Sequence, residues 1–376
     1  MKRKKQYMEL ALELAKRGFG NVEPNPMVGC VIVNSDSQVI GSGWHKDFGK
    51  AHAEINALED CKKKGHNPAG ATMCVTLEPC CHHGKTPPCT EAIIEAKIGK
   101  VIIAMLDPSD KVAGKGVAGL EQAGIKVSVG LCEKQARLLN PAFIKHNKTT
   151  KPWVILKWAQ TIDGKLSAKN LPEDQRWISN EAARKDTHKL RKSCQAILVG
   201  IDTALQDDPL LTVRPDKGRQ PLRIVLDSKF RIDCRLKLFD TINEADLLIV
   251  TTKEAFDSNI EKAEQIVKKG GEVLAVNSDG KGKCDLGDLM DNLGKSGVQR
   301  LLVEGGAKVL SKFIESDLAD EAVVYIAPKI FAGCGDISLP QQLEAITKLP
   351  QLYNSKLALF DDNVKINANF RRHDLI

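Results

Sequence analysis

The chain has 376 residues, 42% of them hydrophobic, which is long for one core and comfortable for two. The net charge of +7 is modest, the charges are interspersed, and aromatic residues make up only 5%, which argues against stacking platforms for nucleic acid. No apolar run approaches the length of a bilayer span, and the basic opening Met1-Lys2-Arg3-Lys4-Lys5 leads into an amphipathic stretch rather than the apolar core of a secretion signal, so a soluble cytoplasmic protein is expected.

Met8, Leu10, Ala11, Leu14 and Ala15 fall at helical spacing and predict a helix over 6–17, ended by Gly18. After the turn-rich Pro24-Asn25-Pro26, the apolar run 28–33 predicts a strand, with 39–43 as its hairpin partner. A helix over 53–64 is stopped by Gly65, and a buried strand at 72–77 is followed by a helix at 90–97. Strands at 100–106 and 125–129 complete an alternation that points to a layered α/β domain, with a helix over 133–146 leading out of it. The polar run His146-Asn147-Lys148-Thr149-Thr150-Lys151, inside 145–152, predicts an interdomain linker. The α/β rhythm then restarts, with strands at 153–158, 196–200, 222–227, 246–251, 272–276, 299–303 and 321–327 and helices at 180–192, 254–269, 285–295 and 307–316. Two α/β domains are expected, residues 1–146 and 152–376, with no internal repeat.

Eleven cysteines, an odd number scattered along the chain, argue against a disulfide framework. Cys30 and Cys74 sit in strand-like runs and read as small buried hydrophobes, whereas Cys80, Cys81 and Cys89 cluster beside histidines and prolines. His52-Ala53-Glu54 opens a helical pattern, Glu78-Pro79-Cys80 follows a strand, and Cys89 comes nine residues later at the next helix start. One imidazole and two thiolates form the three-ligand set of a catalytic zinc, whose fourth position takes water. Glu54 adds a carboxyl that can take a proton from that water and deliver it to a ring nitrogen and a departing amine. Zinc nucleobase deaminases carry this order, with a closer cysteine pair; here the inserted residues 81–88 read as a substrate-specific loop. The segment also suits a structural zinc knuckle on Cys80, His82 or His83, and Cys89. Cys81 competes with Cys80 as ligand, and the preceding Pro79 favours Cys80.

In the second half no Gly-x-Gly-x-x-Gly follows a strand. The informative segment is Leu301-Leu302-Val303-Glu304-Gly305-Gly306, an apolar strand that ends in a glycine pair at a helix start and lets backbone amides approach phosphate.

The segment from Thr76-Leu77-Glu78-Pro79-Cys80 to Cys89, with Pro24-Asn25-Pro26 and His52-Ala53-Glu54, resembles the bifunctional riboflavin deaminase–reductase family. The loop His83-Gly84-Lys85-Thr86-Pro87-Pro88-Cys89 separates that family from cytidine, deoxycytidylate and transfer-RNA adenosine deaminases, and Cys81 stands where the family usually has serine. Asp163-Gly164-Lys165, Trp177-Ile178-Ser179, Gly200-Ile201-Asp202-Thr203 and the segment from Asp207 to Arg214 resemble its reductase domain. The resemblance implies a cytidine-deaminase-like α/β/α domain followed by a dihydrofolate-reductase-like α/β domain.

The resemblance also implies one zinc ion per chain on His52, Cys80 and Cys89, with Glu54 as the proton shuttle. Asn25, His45, Lys85 and Thr86 would hold a diaminopyrimidine or its phosphoribosyl group, as suits an amide facing a ring edge and a lysine facing phosphate. NADPH would lie on Ala159, Trp177, Thr203, Asp207, Ser228 and Gly306, although a core anchor is the commoner use of a tryptophan. Substrate would meet Arg191, Leu211, Arg214 and Glu304, with both arginines as forked partners for phosphate. Gln175 stands where the family often has a small polar residue that contacts substrate.

The implied reactions are hydrolytic removal of the 2-amino group of 2,5-diamino-6-(5-phosphoribosylamino)pyrimidin-4-one, then NADPH-dependent reduction of the ribosyl chain to ribityl. The sugar opens to an aldehyde or imine before hydride reaches C1, and Asp207 is a candidate proton donor. The expected partner is this small molecule, with no nucleic acid or membrane, in a homo-oligomer.

Overall fold

The computed structural model describes residues 2–82, 87–109, 112–168, 177–214, 219–332, 335–339 and 350–371. The chain divides into two units, Met1–Thr149 and Thr150–Ile376. Among the described residues no helix is long and apolar enough to cross a membrane.

In the first unit, helix α1 (Lys2–Ala15) precedes the hairpin β1 (Gly29–Val33) and β2 (Val39–Trp44), followed by α2 (Ala53–Lys63) and β3 (Thr72–Val75). Next come α3 (Cys89–Glu95), β4 (Lys100–Ile103), α4 (Lys115–Gln122), β5 (Lys126–Val129), α5 (Glu133–Leu139) and α6 (Pro141–Thr149). The sheet order is β2-β1-β3-β4-β5, antiparallel up to β3 and parallel from β3 to β5. All of β1 is buried, because helices cover both faces. Gly29 lies so close to α1 that a side-chain carbon there would overlap the Ala11 carbonyl. On the opposite face Cys30, Ile32, Met73 and Val101 pack with Ala57 of α2, Ile93 of α3 and Leu120 of α4.

Helix α2 rests on β2 almost backbone to backbone. A Cβ at Gly43 would stand 2.6 Å from the Ala53 carbonyl oxygen and 2.7 Å from the Asn56 carbonyl carbon. Ala53, Ala57 and Cys61, spaced four apart, give α2 the thin stripe this approach requires.

Three local expectations differ from the structure. Helix α4 does not stand out in the sequence because glycines 116 and 119 depress its propensity; Leu120, fully buried, anchors it. The helix expected over 133–146 breaks at Asn140, whose side chain accepts from Met27 N and donates to Met27 O, both at 2.8 Å. Pro141 then begins a new helix. That helix runs to Thr149, through much of the stretch expected as a linker.

The second unit begins with β6 (Trp153–Thr161), β7 (Lys165–Ala168), α7 (Glu181–Lys192), β8 (Ala196–Gly200), α8 (Ile201–Asp207), β9 (Leu222–Leu226) and α9 (Lys237–Asp240). It continues with β10 (Leu247–Thr252), α10 (Lys253–Asp257), α11 (Ile260–Lys268), β11 (Glu272–Val276), α12 (Leu286–Lys295), β12 (Arg300–Glu304) and α13 (Ala307–Glu315). The last strands are β13 (Glu321–Ala327), β14 (Gly335–Ser338), β15 (Tyr353–Phe360) and β16 (Asn363–Asn369). The main sheet order is β11-β10-β9-β8-β12-β6-β13-β16-β15, parallel except where β16 joins β13 and β15; β14 pairs with β7 alone.

The chain steps outward from β8 to β11, then returns to insert β12 between β8 and β6. That reversal opens a crevice at the carboxyl ends of the strands, the usual ligand position in open α/β sheets. The long helix expected at 254–269 is two, because the side chains of Ser258 and Asn259 bond back to the carbonyls of Glu254 and Ala255. The hairpin β15–β16 and the short helices α8 and α9 were not anticipated; β15 is exposed along most of its length and lacks a buried stripe.

Substituting Gly43→Ala should therefore overpack the α2–β2 contact and destabilise the first unit by about 1–3 kcal/mol. Chemical denaturation followed by a probe in that unit should show a lower midpoint, and an unchanged midpoint would contradict the contact.

Candidate active sites

In the first unit, His52 caps the start of α2 with extended backbone, which places Glu54 in the first turn. Cys89 is the first residue of α3, and Cys80 lies just beyond β3. The turn between β3 and Cys80 is tied down at several points. Thr76 Oγ1 accepts from Gly29 N at 3.1 Å. Glu78 is buried, and its carboxylate accepts the backbone N–H groups of Asp107, Gly114 and Val117 at 3.1, 3.0 and 3.1 Å. Gly116 allows this approach, since a side chain there would run into the Pro79 carbonyl. The Cys80 carbonyl accepts from Thr90 N at 3.2 Å and Thr90 Oγ1 at 3.3 Å, which draws the two cysteine segments together.

His52 Nδ1 lies 3.2 Å from Cys89 Sγ and 3.6 Å from Cys80 Sγ, and the three candidate ligand atoms all lie within 4.8 Å of one another. Tetrahedral zinc with bonds of about 2.0–2.1 Å to nitrogen and about 2.3 Å to sulfur separates those atoms by about 3.6 Å, so the donor set fits the ion in both chemistry and spacing. Neither Cys81 nor His82 joins this cluster. The hydrogen bond shared with Cys89 favours the Cys80 thiolate, which also accepts from Cys89 N at 3.3 Å. Cys89 is correspondingly pushed up.

Glu54 is 3% exposed, and burial raises its carboxyl to about 7 against the opposing pull of His52. Such a carboxyl can both take and give a proton near neutral pH. His45, also buried, donates from Nδ1 to the Ala51 carbonyl at 3.1 Å. Burial lowers its pKa, so the ring is neutral and Nε2 accepts from Asn25 Nδ2 at 3.2 Å. Its ring stands edge-on to His52, with centroids 5.3 Å apart. Asn25, His45, His52, Glu54, Cys80 and Cys89 are thus linked through these contacts. Lys85 and Thr86 lie outside the described residues.

In the second unit, Glu304 ends β12 opposite Lys157 of β6. Both its oxygens are held by Arg191, Nε to Oε1 at 2.8 Å and Nη2 to Oε2 at 2.7 Å. Burial pushes the Glu304 carboxyl upward, but Arg191 outweighs it and brings the group down to about 2. The remaining Nη1 of Arg191 donates to the Thr212 carbonyl at 3.2 Å. The fork expected to meet phosphate is therefore occupied by Glu304, a partner 113 residues away in sequence.

Gly305 and Gly306 follow with φ of 75° and 72°, and a Cβ at Gly306 would stand 3.0 Å from Thr203 Oγ1. Ser228 lies just beyond β9, where its hydroxyl accepts from Cys284 N at 3.0 Å. Ala159 lies on β6 past Lys157, and Asp207 is the last residue of α8. Leu211 is buried with φ of 56°, and Arg214 is exposed with its amide donating to His188 Nδ1 at 3.2 Å. Trp177 is 62% exposed with the Arg184 guanidinium 5.0 Å from its ring, so it is not a core anchor. Gln175 lies outside the described residues.

Two residues went unnoticed in the sequence. Lys157 interrupts the apolar run Trp153-Val154-Ile155-Leu156, and that interruption was the available signal. Arg223, fully buried on β9, donates to Thr241 Oγ1 at 2.7 Å and to the Leu210 carbonyl at 3.3 Å, beside Leu211.

Residues 1–105 match the cytidine and deoxycytidylate deaminase zinc-binding region, and residues 152–362 match the RibD C-terminal domain. Riboflavin biosynthesis protein RibD of Aquifex aeolicus is 41% identical over 95% of this chain and 97% of its own length. A solved Thermotoga maritima structure, described as a diaminohydroxyphosphoribosylaminopyrimidine deaminase/5-amino-6-(5-phosphoribosylamino)uracil reductase, is 35% identical. It covers 98% of this chain and 99% of its own, with a TM-score of 0.81. Acinetobacter baumannii RibD in one crystal form gives 34% identity, the same two coverages and a TM-score of 0.81.

The ligand geometry distinguishes neighbouring thiols. Cys80→Ser and Cys89→Ser should each lose zinc as measured by atomic emission on purified protein, whereas Cys81→Ser should retain it. Zinc retained by Cys80→Ser and lost by Cys81→Ser would reassign the ligand.

Proposed function

The chain belongs to the RibD family of bifunctional riboflavin-biosynthesis enzymes, and we propose that its two sites act in turn on one phosphoribosylated pyrimidine. In this reading residues 1–146 are the deaminase and residues 152–376 the reductase. The observation that carries it is the approach of His52 Nδ1 to both Cys80 Sγ and Cys89 Sγ, two residues ahead of a buried Glu54.

The first substrate is 2,5-diamino-6-(5-phosphoribosylamino)pyrimidin-4-one. Zinc held by His52, Cys80 and Cys89 would supply Lewis acidity and a water of lowered pKa. Glu54 takes a proton from the attacking water and passes it to the ring nitrogen. A second transfer through the same carboxyl protonates the exocyclic amine; the C2–N bond breaks, C2 keeps the new oxygen, and ammonia leaves. Asn25 faces the ring edge, and neutral His45 fixes the orientation of its amide. Lys85 and Thr86 are assigned to the phosphoribosyl group.

The product, an aminouracil, then has its ribosyl chain reduced to ribityl. NADPH would supply the hydride that C1 receives. Ala159, Trp177, Thr203, Asp207, Ser228 and Gly306 are assigned to this cofactor; Thr203, Ser228 and Gly306 lie just past the carboxyl ends of β8, β9 and β12. Leu211, Glu304 and Arg214 are assigned to the substrate, with Arg214 as the phosphate partner and Arg191 acting through Glu304. Asp207 remains the candidate proton donor. The reading is of a cytoplasmic enzyme that assembles with copies of itself, and Leu357 and Leu359, 73% and 75% exposed on the outer strand β15, support the assembly.

Glu54→Gln should lower ammonia release by about 10²- to 10⁴-fold. Zinc content should be unchanged, as should NADPH oxidation when the aminouracil is supplied directly. Deamination by this variant at a rate near wild type would remove Glu54 from the mechanism.

A further inference from the structure

The stretch 210–214, between α8 and β9, belongs to no helix or strand, yet Leu211, Thr212 and Val213 are buried. Backbone groups taken out of water need partners, and here side chains supply them. Arg223 Nη1 donates to the Leu210 carbonyl at 3.3 Å, and Arg191 Nη1 donates to the Thr212 carbonyl at 3.2 Å. The Gln220 amide takes both groups of Val213, accepting from its N–H at 2.7 Å and donating to its carbonyl at 3.3 Å. The last tie is the Arg214 N–H, which donates to His188 Nδ1 at 3.2 Å. His188 and Arg191 stand three apart on α7, so one face of that helix holds the strap at two points. Leu211 and Arg214, two residues assigned to the substrate, lie on this strap.

The bond to His188 fixes the state of its ring. A backbone amide can only donate, so Nδ1 carries a lone pair and the proton of the neutral ring sits on Nε2. The surroundings favour that neutral form. The ring is half-buried, and its pKa is lowered first by burial, then by Arg191 of the same helix and Arg214 of the strap. Glu304 of β12 pulls the other way and Lys157 of β6 adds to the lowering. Both oxygens of the Glu304 carboxylate are held by Arg191. Protonation at Nδ1 would turn the acceptor into a donor and break the tie to Arg214. Arg214 is exposed, and its guanidinium ends a long flexible stem, so a fixed backbone leaves less to order when a phosphate binds.

We propose that His188 is a positioning residue of the reductase: its unprotonated Nδ1 anchors the backbone of Arg214 and so sets the guanidinium for the phosphate of the aminouracil. Substrate capture then weakens as pH falls through the range in which the ring gains a proton, whereas cofactor capture does not. This inference rests on the assignment of Arg214 to phosphate and adds the group that holds Arg214 in place.

The test is steady-state reductase kinetics of the full chain, with 5-amino-6-(5-phosphoribosylamino)uracil varied against saturating NADPH. Arg214→Gln should raise the KM for this substrate by about tenfold or more, the loss of a charge-assisted contact to phosphate. His188→Ala should raise the same KM by about three- to tenfold, the loss of one hydrogen bond, with kcat and the KM for NADPH unchanged. His188→Asn offers a carboxamide oxygen that accepts the same N–H without titrating, and it should restore the wild-type KM near neutral pH. As pH is lowered from about 8 to about 5, the wild-type KM should rise relative to that of His188→Asn. The substrate phosphate also titrates, with a pKa of about 6, but identically for both proteins, so the ratio isolates the ring. The positioning role is overturned, with Arg214 left on phosphate, by a wild-type KM in His188→Ala or by kcat and the NADPH KM worsening along with it. Failure of His188→Asn to restore the KM, or a ratio that stays flat or falls as the pH is lowered, would overturn it equally. A wild-type KM in Arg214→Gln would remove Arg214 from the phosphate, and this inference with it.

Discussion

Both sites are built on a buried glutamate just past or at the end of a strand, held by partners that the surrounding loops must bring to it. An unpaired carboxylate in such a place would cost several kcal/mol, so the loops are constrained to supply donors. In the first unit the donors are backbone amides: Glu78 gathers N–H groups from residues 107, 114 and 117 and thereby fixes the turn that presents Cys80. In the second unit the donor is a guanidinium: Glu304 takes both prongs of Arg191 and ties α7 to β12. The strands set where the carboxylates stand, and the carboxylates set where the loops go.

The first unit holds two buried glutamates whose surroundings give them different work. Glu78 has three amide donors and serves as an anchor. Glu54 sits in the first turn of α2 beside His52 without such a cage, and burial raises its carboxyl to about 7. The same side chain is a fixed acceptor in one place and, in the other, a carboxyl that can exchange a proton near neutral pH, because hydrogen bonds to the charged form favour it and burial opposes it. The close seat of α2 on the glycines of β2 matters for the same reason: it holds Glu54 and His52 on one rigid turn.

What could be read in the sequence was local. His52 and Glu54 share one helical turn, Cys80 and Cys89 lie nine residues apart, and the strands of the second sheet announce themselves as β-branched runs. What could not be read depends on distant partners. Arg191 considered alone is a reasonable phosphate ligand, and only the fold reveals that β12 brings a carboxylate to it. Helix α4 has glycines at two positions, 116 and 119, that intrinsic propensity would refuse; it forms because Leu120 is buried and because Glu78 fastens its first turn. Arg223 is fully buried among apolar strand residues with its guanidinium on carbonyls and a hydroxyl, an arrangement that no local pattern signals.

The contact between α7 and the second sheet shows what these constraints achieve together. A helix that covers a sheet ordinarily does so with an apolar stripe. Helix α7 does bury Ala183, Thr187 and Leu190, but Asp186 and Arg191 on the same helix reach charged partners on the strands. Asp186 takes the Tyr325 hydroxyl and the Lys365 ammonium, each at 2.6 Å, while Arg191 takes Glu304. Burial raises the Tyr325 phenol well above its usual range, which keeps its proton in place as a donor. Buried ion pairs of this kind contribute little net stability compared with a well-packed apolar contact, yet removing one member is costly. Their effect is geometric: each charge admits few partners, so α7 has few positions on the sheet that leave none unpaired. The polar lining beside Lys157 and Glu304 is thus held in register by the helix that covers it, and the fold keeps charged groups in fixed positions at the end of a strand without burying any of them alone.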